Sequence, residues 1–113
     1  MPEVSPAEAK ELIDAGAELI DVRSPEEFEA GHIPGARTVP LETLDPDAGL
    51  EDGKPVVLYC RSGDRSGMAA DAFSASGWDA RSIAGGLLAW AEAGLPLEPD
   101  DGEVAERSGL PPR

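Results

Sequence analysis

The chain reads as an α/β protein: a central parallel sheet of about five short strands, flanked by helices on both faces. Three observations predict this class. Short apolar runs alternate with helix-forming stretches along the whole chain, the pattern of a parallel sheet joined by right-handed crossovers. The run Val56-Val57-Leu58-Tyr59 is almost continuously apolar, which suits a strand covered on both faces. Two segments, Ser5-Pro6-Ala7-Glu8 and Ser24-Pro25-Glu26-Glu27, carry an N-cap serine, a proline at the first helical position and a glutamate three residues after the cap.

The elements follow in order. Glu3-Val4 is a short edge strand, and the Ser5 cap opens a helix over 6–15 that Gly16 stops. Leu19 to Val22 is a buried strand. The Ser24 cap opens a short helix to Ala30, closed at Gly31, and Thr38-Val39 is a brief strand. Asp45 to Gly53 is a turn-rich connection leading into the central strand Val56 to Tyr59. A helix from about Ser66 to Ser76 places Met68, Ala69, Ala72 and Phe73 on a core face and ends at Gly77. Ala80 to Ile83 is the next strand, and Leu87 to Ala93 the last helix.

Length sets the domain organisation. A chain of 113 residues fits one domain that buries roughly two-thirds of its unfolded surface, and no internal repeat divides it. Residues 1–97 form that domain. Residues 98–113 hold Pro99, Asp100, Asp101, Gly102, Pro111 and Pro112 with little apolar pattern, and read as an acidic, extended or disordered tail.

Charge and cysteine content exclude several classes of partner. The net charge is −14, from 23 acidic against 9 basic residues, so no surface is basic enough for nucleic acid. The N-terminal residues lack a basic region followed by an apolar stretch of about 7 to 15 residues, and no run approaches the roughly 18 apolar residues of a membrane span. One cysteine forms no internal disulfide. Together these point to a reducing, cytoplasmic setting and to no membrane partner. One cysteine and one histidine cannot furnish a usual metal ligand set, so neither a metal nor another cofactor is expected.

That cysteine, Cys60, stands where the central strand meets the loop Arg61-Ser62-Gly63-Asp64-Arg65-Ser66-Gly67. A lone cysteine is usually an inert, buried small hydrophobe. Here two arginines, two glycines and a helix start follow within seven positions, surroundings that favour thiolate and would be costly beside an inert thiol. In parallel sheets the sites lie beyond the carboxyl ends of the strands, where Cys60 falls.

The loop Cys60-Arg61-Ser62-Gly63-Asp64-Arg65-Ser66 resembles the active-site loop of the rhodanese sulfurtransferases: cysteine, four residues, arginine, then a small hydroxylated residue. Other segments agree in order and spacing. Leu19-Ile20-Asp21-Val22-Arg23, Glu26-Glu27-Phe28 and Gly31-His32-Ile33-Pro34-Gly35-Ala36 resemble the family's first signature, and Gly85-Gly86, Trp90 and Gly94-Leu95-Pro96 its C-terminal one. The match runs over about residues 3–97, with a single copy of the domain.

The resemblance implies a thiosulfate sulfurtransferase-like enzyme. Cys60 would take sulfane sulfur from a small sulfur-containing anion such as thiosulfate, become a persulfide, and pass the outer sulfur to cyanide, a thiol or a protein acceptor. The backbone N–H groups of Arg61, Ser62, Gly63, Asp64, Arg65 and Ser66 can form an anion nest, completed by the positive end of the following helix. Arg61 is a candidate for holding the donor. Arg65 either shares that role or braces the loop by pairing with Asp21 or Glu27, and Asp64 weakens the local positive field. Asp21, Arg23 and Glu27 read as a supporting ion-pair set at a strand end, and His32 as a hydrogen-bonded turn residue rather than a base. Two alternatives stay open. Cysteine-dependent phosphatases and arsenate reductases use a related loop, commonly with five residues before the arginine, where this chain has four and has Tyr59 ahead of the cysteine. A non-catalytic binding module of the same fold typically lacks the cysteine.

Overall fold

The computed structural model describes residues 3–43, 54–98 and 104. Five strands, β1 (Glu3–Val4), β2 (Glu18–Asp21), β3 (Arg37–Thr38), β4 (Val56–Tyr59) and β5 (Ala80–Ile83), form one sheet in the order β1-β5-β4-β2-β3 with every pair parallel. Among the described residues four helices connect or flank them, α1 (Pro6–Asp14), α2 (Pro25–Ala30), α3 (Asp64–Ala75) and α4 (Gly86–Glu92), with a 3-10 turn at Leu41–Thr43. The expected class, a five-stranded parallel sheet with helices on both faces, is the one observed. The connection expected over 45–53 lies outside the described residues, as does most of the tail.

Period-two alternation along β4 assigns the two faces. Val57 and Tyr59 join Ala9 of α1 and Leu87 and Trp90 of α4 in one core; Val56, Leu58 and Cys60 join Ala69, Ala70 and Phe73 of α3 in the other. All four β4 side chains are fully enclosed, which explains the unbroken apolar run. Each large side chain buried this way contributes roughly 1.5–3 kcal/mol of transfer free energy.

The structure corrects two readings around α3. The helix begins at Asp64, two residues before the expected start, because Gly63 adopts φ 105° and turns the chain directly from the loop into the helix. The core face is therefore Ser66, Ala69, Ala70 and Phe73, at helical spacing, while Met68 is 59% exposed and Ala72 also faces out. The other boundaries move by one residue: β2 starts at Glu18, β3 at Arg37 and α4 at Gly86.

Of the tail, Glu98 pairs with His32 in a backbone bridge, each N–H donating to the other's carbonyl at 3.0 and 2.7 Å. Val104 packs, half-buried, against the α1/α4 core. No helix among the described residues is long and apolar enough to cross a membrane.

Candidate active site

Cys60 follows the last residue of the central strand, and its side chain points to the α3 side of the sheet, 1% exposed. The chain must reverse there, since α3 packs back over β4. The reversal aims backbone donors at the sulfur. Gly63 N–H donates to Sγ at 3.0 Å, Ser66 N–H at 3.4 Å, and the Ser66 hydroxyl lies 3.5 Å away. Gly63 and Ser66 stand at the N-terminal end of α3, where unsatisfied N–H groups and the helix dipole favour negative charge.

A second helix holds the same loop from behind. Leu87 N–H donates to the Cys60 carbonyl at 2.8 Å and Leu88 N–H to the Arg61 carbonyl at 3.1 Å, so the first amides of α4 fix the backbone on which the sulfur is mounted. This approach leaves no room for a side chain at Gly86: a Cβ there would stand 2.6 Å from both carbonyl oxygens, and φ is 61°. Two hydroxyls complete the site, the Ser66 Oγ lying 2.7 Å from Ser82 Oγ of β5 and 3.3 Å from the Gly63 carbonyl.

The residues singled out from the sequence separate into distinct groups. Arg65 turns away from a purely solvent position and grips Glu27 of α2 with two hydrogen bonds, 2.9 and 3.1 Å. Glu27 also accepts from the Ser24 hydroxyl and amide. The Glu27 hydrogen bonds, together with attraction to the carboxylate, to Cys60 and to Asp21, hold the Arg65 guanidinium above its ordinary value against the opposing effect of burial. Burial alone would raise the Glu27 carboxyl, but the hydrogen bonds from Arg65 and Ser24 outweigh it and leave the group below its usual range.

Asp21 and Arg23 form a separate, fully enclosed pair, Nη2 to Oδ2 2.6 Å and Nε to Oδ1 2.9 Å, with Nη2 also donating to the Gly31 carbonyl at 2.7 Å. Burial works against the Arg23 charge, and the Asp21 hydrogen bonds overcome it and raise the group. The guanidinium lies over the Tyr59 ring, 5.6 Å from its centroid, and the Tyr59 hydroxyl accepts from Ile33 N–H at 3.0 Å. This set ties β2, β4 and the 31–36 turn together below the loop.

Arg61 is half-buried, while Ser62 and Asp64 are exposed at the rim. His32 stacks on Phe28 at 3.8 Å, and its Nδ1 donates to the Phe28 carbonyl at 2.8 Å, so that nitrogen's proton is engaged by α2. Neither Ser82 nor the close approach of Gly86 to the loop carbonyls stands out in the sequence. For Ser82 a signal existed: it alternates with Ala80 on the core-facing side of a buried strand, where a hydroxyl needs a partner.

A five-stranded parallel sheet with a single cysteine cradled by amides at the end of its central strand defines a rhodanese-type domain, and the comparisons agree. The rhodanese-like domain family model matches residues 5–93, and the chain belongs to that family. It is 32% identical over 103 residues to thiosulfate sulfurtransferase GlpE of Pseudomonas aeruginosa (strain LESB58), covering 89% of this chain and 93% of that protein. It is 45% identical over 80 residues to uncharacterized protein slr1261 of Synechocystis, 69% of this chain but 45% of that protein, so the chain spans less than half of this longer relative. Among solved structures, a rhodanese-related protein from Thermoplasma volcanium superposes with a TM-score of 0.77 at 29% identity, covering 86% of this chain and 97% of that one. The family is of the sulfurtransferase type.

Proposed function

We propose that this protein transfers sulfane sulfur from a small anionic donor, such as thiosulfate, to cyanide, a thiol or a protein acceptor through a persulfide on Cys60. The observation that carries the reading is the convergence of Gly63 N–H, Ser66 N–H and the Ser66 hydroxyl on one sulfur atom. In the first half-reaction the Cys60 thiolate attacks the outer sulfur of thiosulfate, the donor's S–S bond breaks, and sulfite leaves with the bonding pair. The outer sulfur of the resulting persulfide is then attacked by the acceptor. With cyanide the product is thiocyanate, and the electron pair returns to Cys60 as thiolate.

The thiolate and the persulfide each carry one negative charge, which the loop amides and the α3 terminus can balance. Arg61, half-buried next to Cys60 in the loop, is assigned to attract the anionic donor against the protein's overall −14 charge, since charges farther than about 8 Å are largely screened at physiological salt. Arg65 is committed to Glu27 and supports the loop. That commitment also weighs against a phosphatase, whose transition state needs donors spread around three equatorial oxygens.

Intact-protein mass spectrometry after incubation with thiosulfate tests the proposal. A gain of one sulfur atom, removed by dithiothreitol and absent from Cys60→Ser, is the expected result. If no sulfane donor produces the adduct while an aryl phosphate or arsenate is turned over, the sulfurtransferase reading fails.

A further inference from the structure

We propose that Ser82 is a positioning residue for the Cys60 sulfur, acting through Ser66. The inference rests on Cys60 being the reactive nucleophile. Ser66 Oγ carries one hydrogen and faces three partners: Ser82 Oγ at 2.7 Å, the Gly63 carbonyl at 3.3 Å and Cys60 Sγ at 3.5 Å. If Ser66 gave its proton to Ser82, the sulfur would keep only its two amide donors.

Ser82 removes that outcome. Its side chain is fully enclosed in β5 between β1 and β4, and among the described residues Ser66 Oγ is its hydrogen-bond partner. A buried hydroxyl that fails to donate forfeits about 1–3 kcal/mol, so Ser82 donates to Ser66. The Ser66 proton is then left for the Gly63 carbonyl or the sulfur. Once the sulfur is a thiolate anion, it is the stronger acceptor and draws that proton. The Ser82 to Ser66 hydrogen bond also polarises the next one in the chain. Ser82 therefore helps hold the charge on Cys60 without touching it.

The readout is the ultraviolet thiolate absorbance of the full chain titrated with pH, taking the difference from Cys60→Ser. It is independent of sulfur transfer, so it stays interpretable whether or not a persulfide forms. For Ser82→Ala the expected midpoint lies about half a pH unit higher, roughly threefold less thiolate at a fixed pH below it. In a Ser66→Ala background the same substitution should add nothing, because its route to the sulfur is gone. If the alanine variant does not fold, the isosteric pair Ser82→Thr and Ser82→Val decides: threonine should keep the wild-type midpoint and valine should raise it. An unchanged midpoint in folded Ser82→Ala, a shift that persists without Ser66, or identical midpoints for threonine and valine would each overturn the proposal.

Discussion

Helices α1 to α4 begin in two different ways, and the difference separates scaffold from site. α1 and α2 start with capping boxes: the Ser5 hydroxyl accepts from Glu8 N–H at 3.1 Å while the Glu8 carboxylate accepts from Ser5 N–H at 3.0 Å, and Ser24 with Glu27 repeats the arrangement. α3 and α4 start after Gly63 and Gly85, both left-handed, and have no side-chain cap. Their free amides are not wasted. Those around α3 point at the Cys60 sulfur, and those of α4 at the carbonyls of Cys60 and Arg61. A helix that satisfies its own terminus is finished locally, whereas one that leaves its terminus open can hold a loop or an anion.

The strongest way to break this contrast is at Gly86. Gly86→Ala puts a Cβ 2.6 Å from two backbone oxygens that cannot swing aside, in a left-handed conformation, so α4 must withdraw from the loop. Expected are a loss of about 3 kcal/mol or more in denaturant unfolding and, in whatever fraction folds, roughly a hundredfold fall in persulfide formation, since displacement near 1 Å is enough for that. Wild-type persulfide formation in a folded Gly86→Ala protein would show that the α4 amides do not set the sulfur's position.

A second test uses the one capping box that reaches the site. Glu27 is held below its ordinary range by Arg65 and Ser24, so it contributes stability that is present above the unfolded carboxyl value of about 4.3 and is lost as pH falls through the lower folded value. Glu27→Gln should cost about 2 kcal/mol at neutral pH, where Arg65 loses its charge partner. The difference from wild type should shrink below about pH 4. A cost that is constant from neutral to acid pH would mean that packing, not charge, is what Glu27 provides.

The same contrast explains what the sequence disclosed. Ser-Pro-x-Glu announces α1 and α2 because cap, proline and glutamate act within four residues of one another, and Val56 to Tyr59 announces the central strand because both faces must be apolar. Cys60 and its loop were legible for a similar reason, being contiguous. The start of α3 lies two residues ahead of where its sequence points, and Met68 faces out instead of into the core, because a helix whose first amides serve a sulfur atom carries no capping signature. Which carboxylate would take Arg65 was also undecided. Asp21 and Glu27 were both available in sequence, and only the packing of α2 on the loop side and the prior engagement of Asp21 by Arg23 selects Glu27. Ser82 needed the register of β5 against β4, which pairs Ser82 with Leu58 and sets it beside the start of α3.

The smallest expected effect sharpens the scaffold side of the comparison. Ser5→Ala removes an exposed cap far from Cys60 in the chain and on the opposite side of the sheet from α3, and should cost about 1 kcal/mol with the thiolate titration and persulfide yield unchanged. Ser24→Ala removes a chemically identical cap, but one whose glutamate is shared with Arg65. It should cost more than Ser5→Ala and, by loosening Glu27, lower the rate of persulfide formation as well. Denaturant midpoints and sulfur uptake measured side by side for the two variants decide the matter. Equal stability losses with no change in uptake for either would mean that α2 supports the sheet alone and that its contact with Arg65 leaves the catalytic loop unaffected.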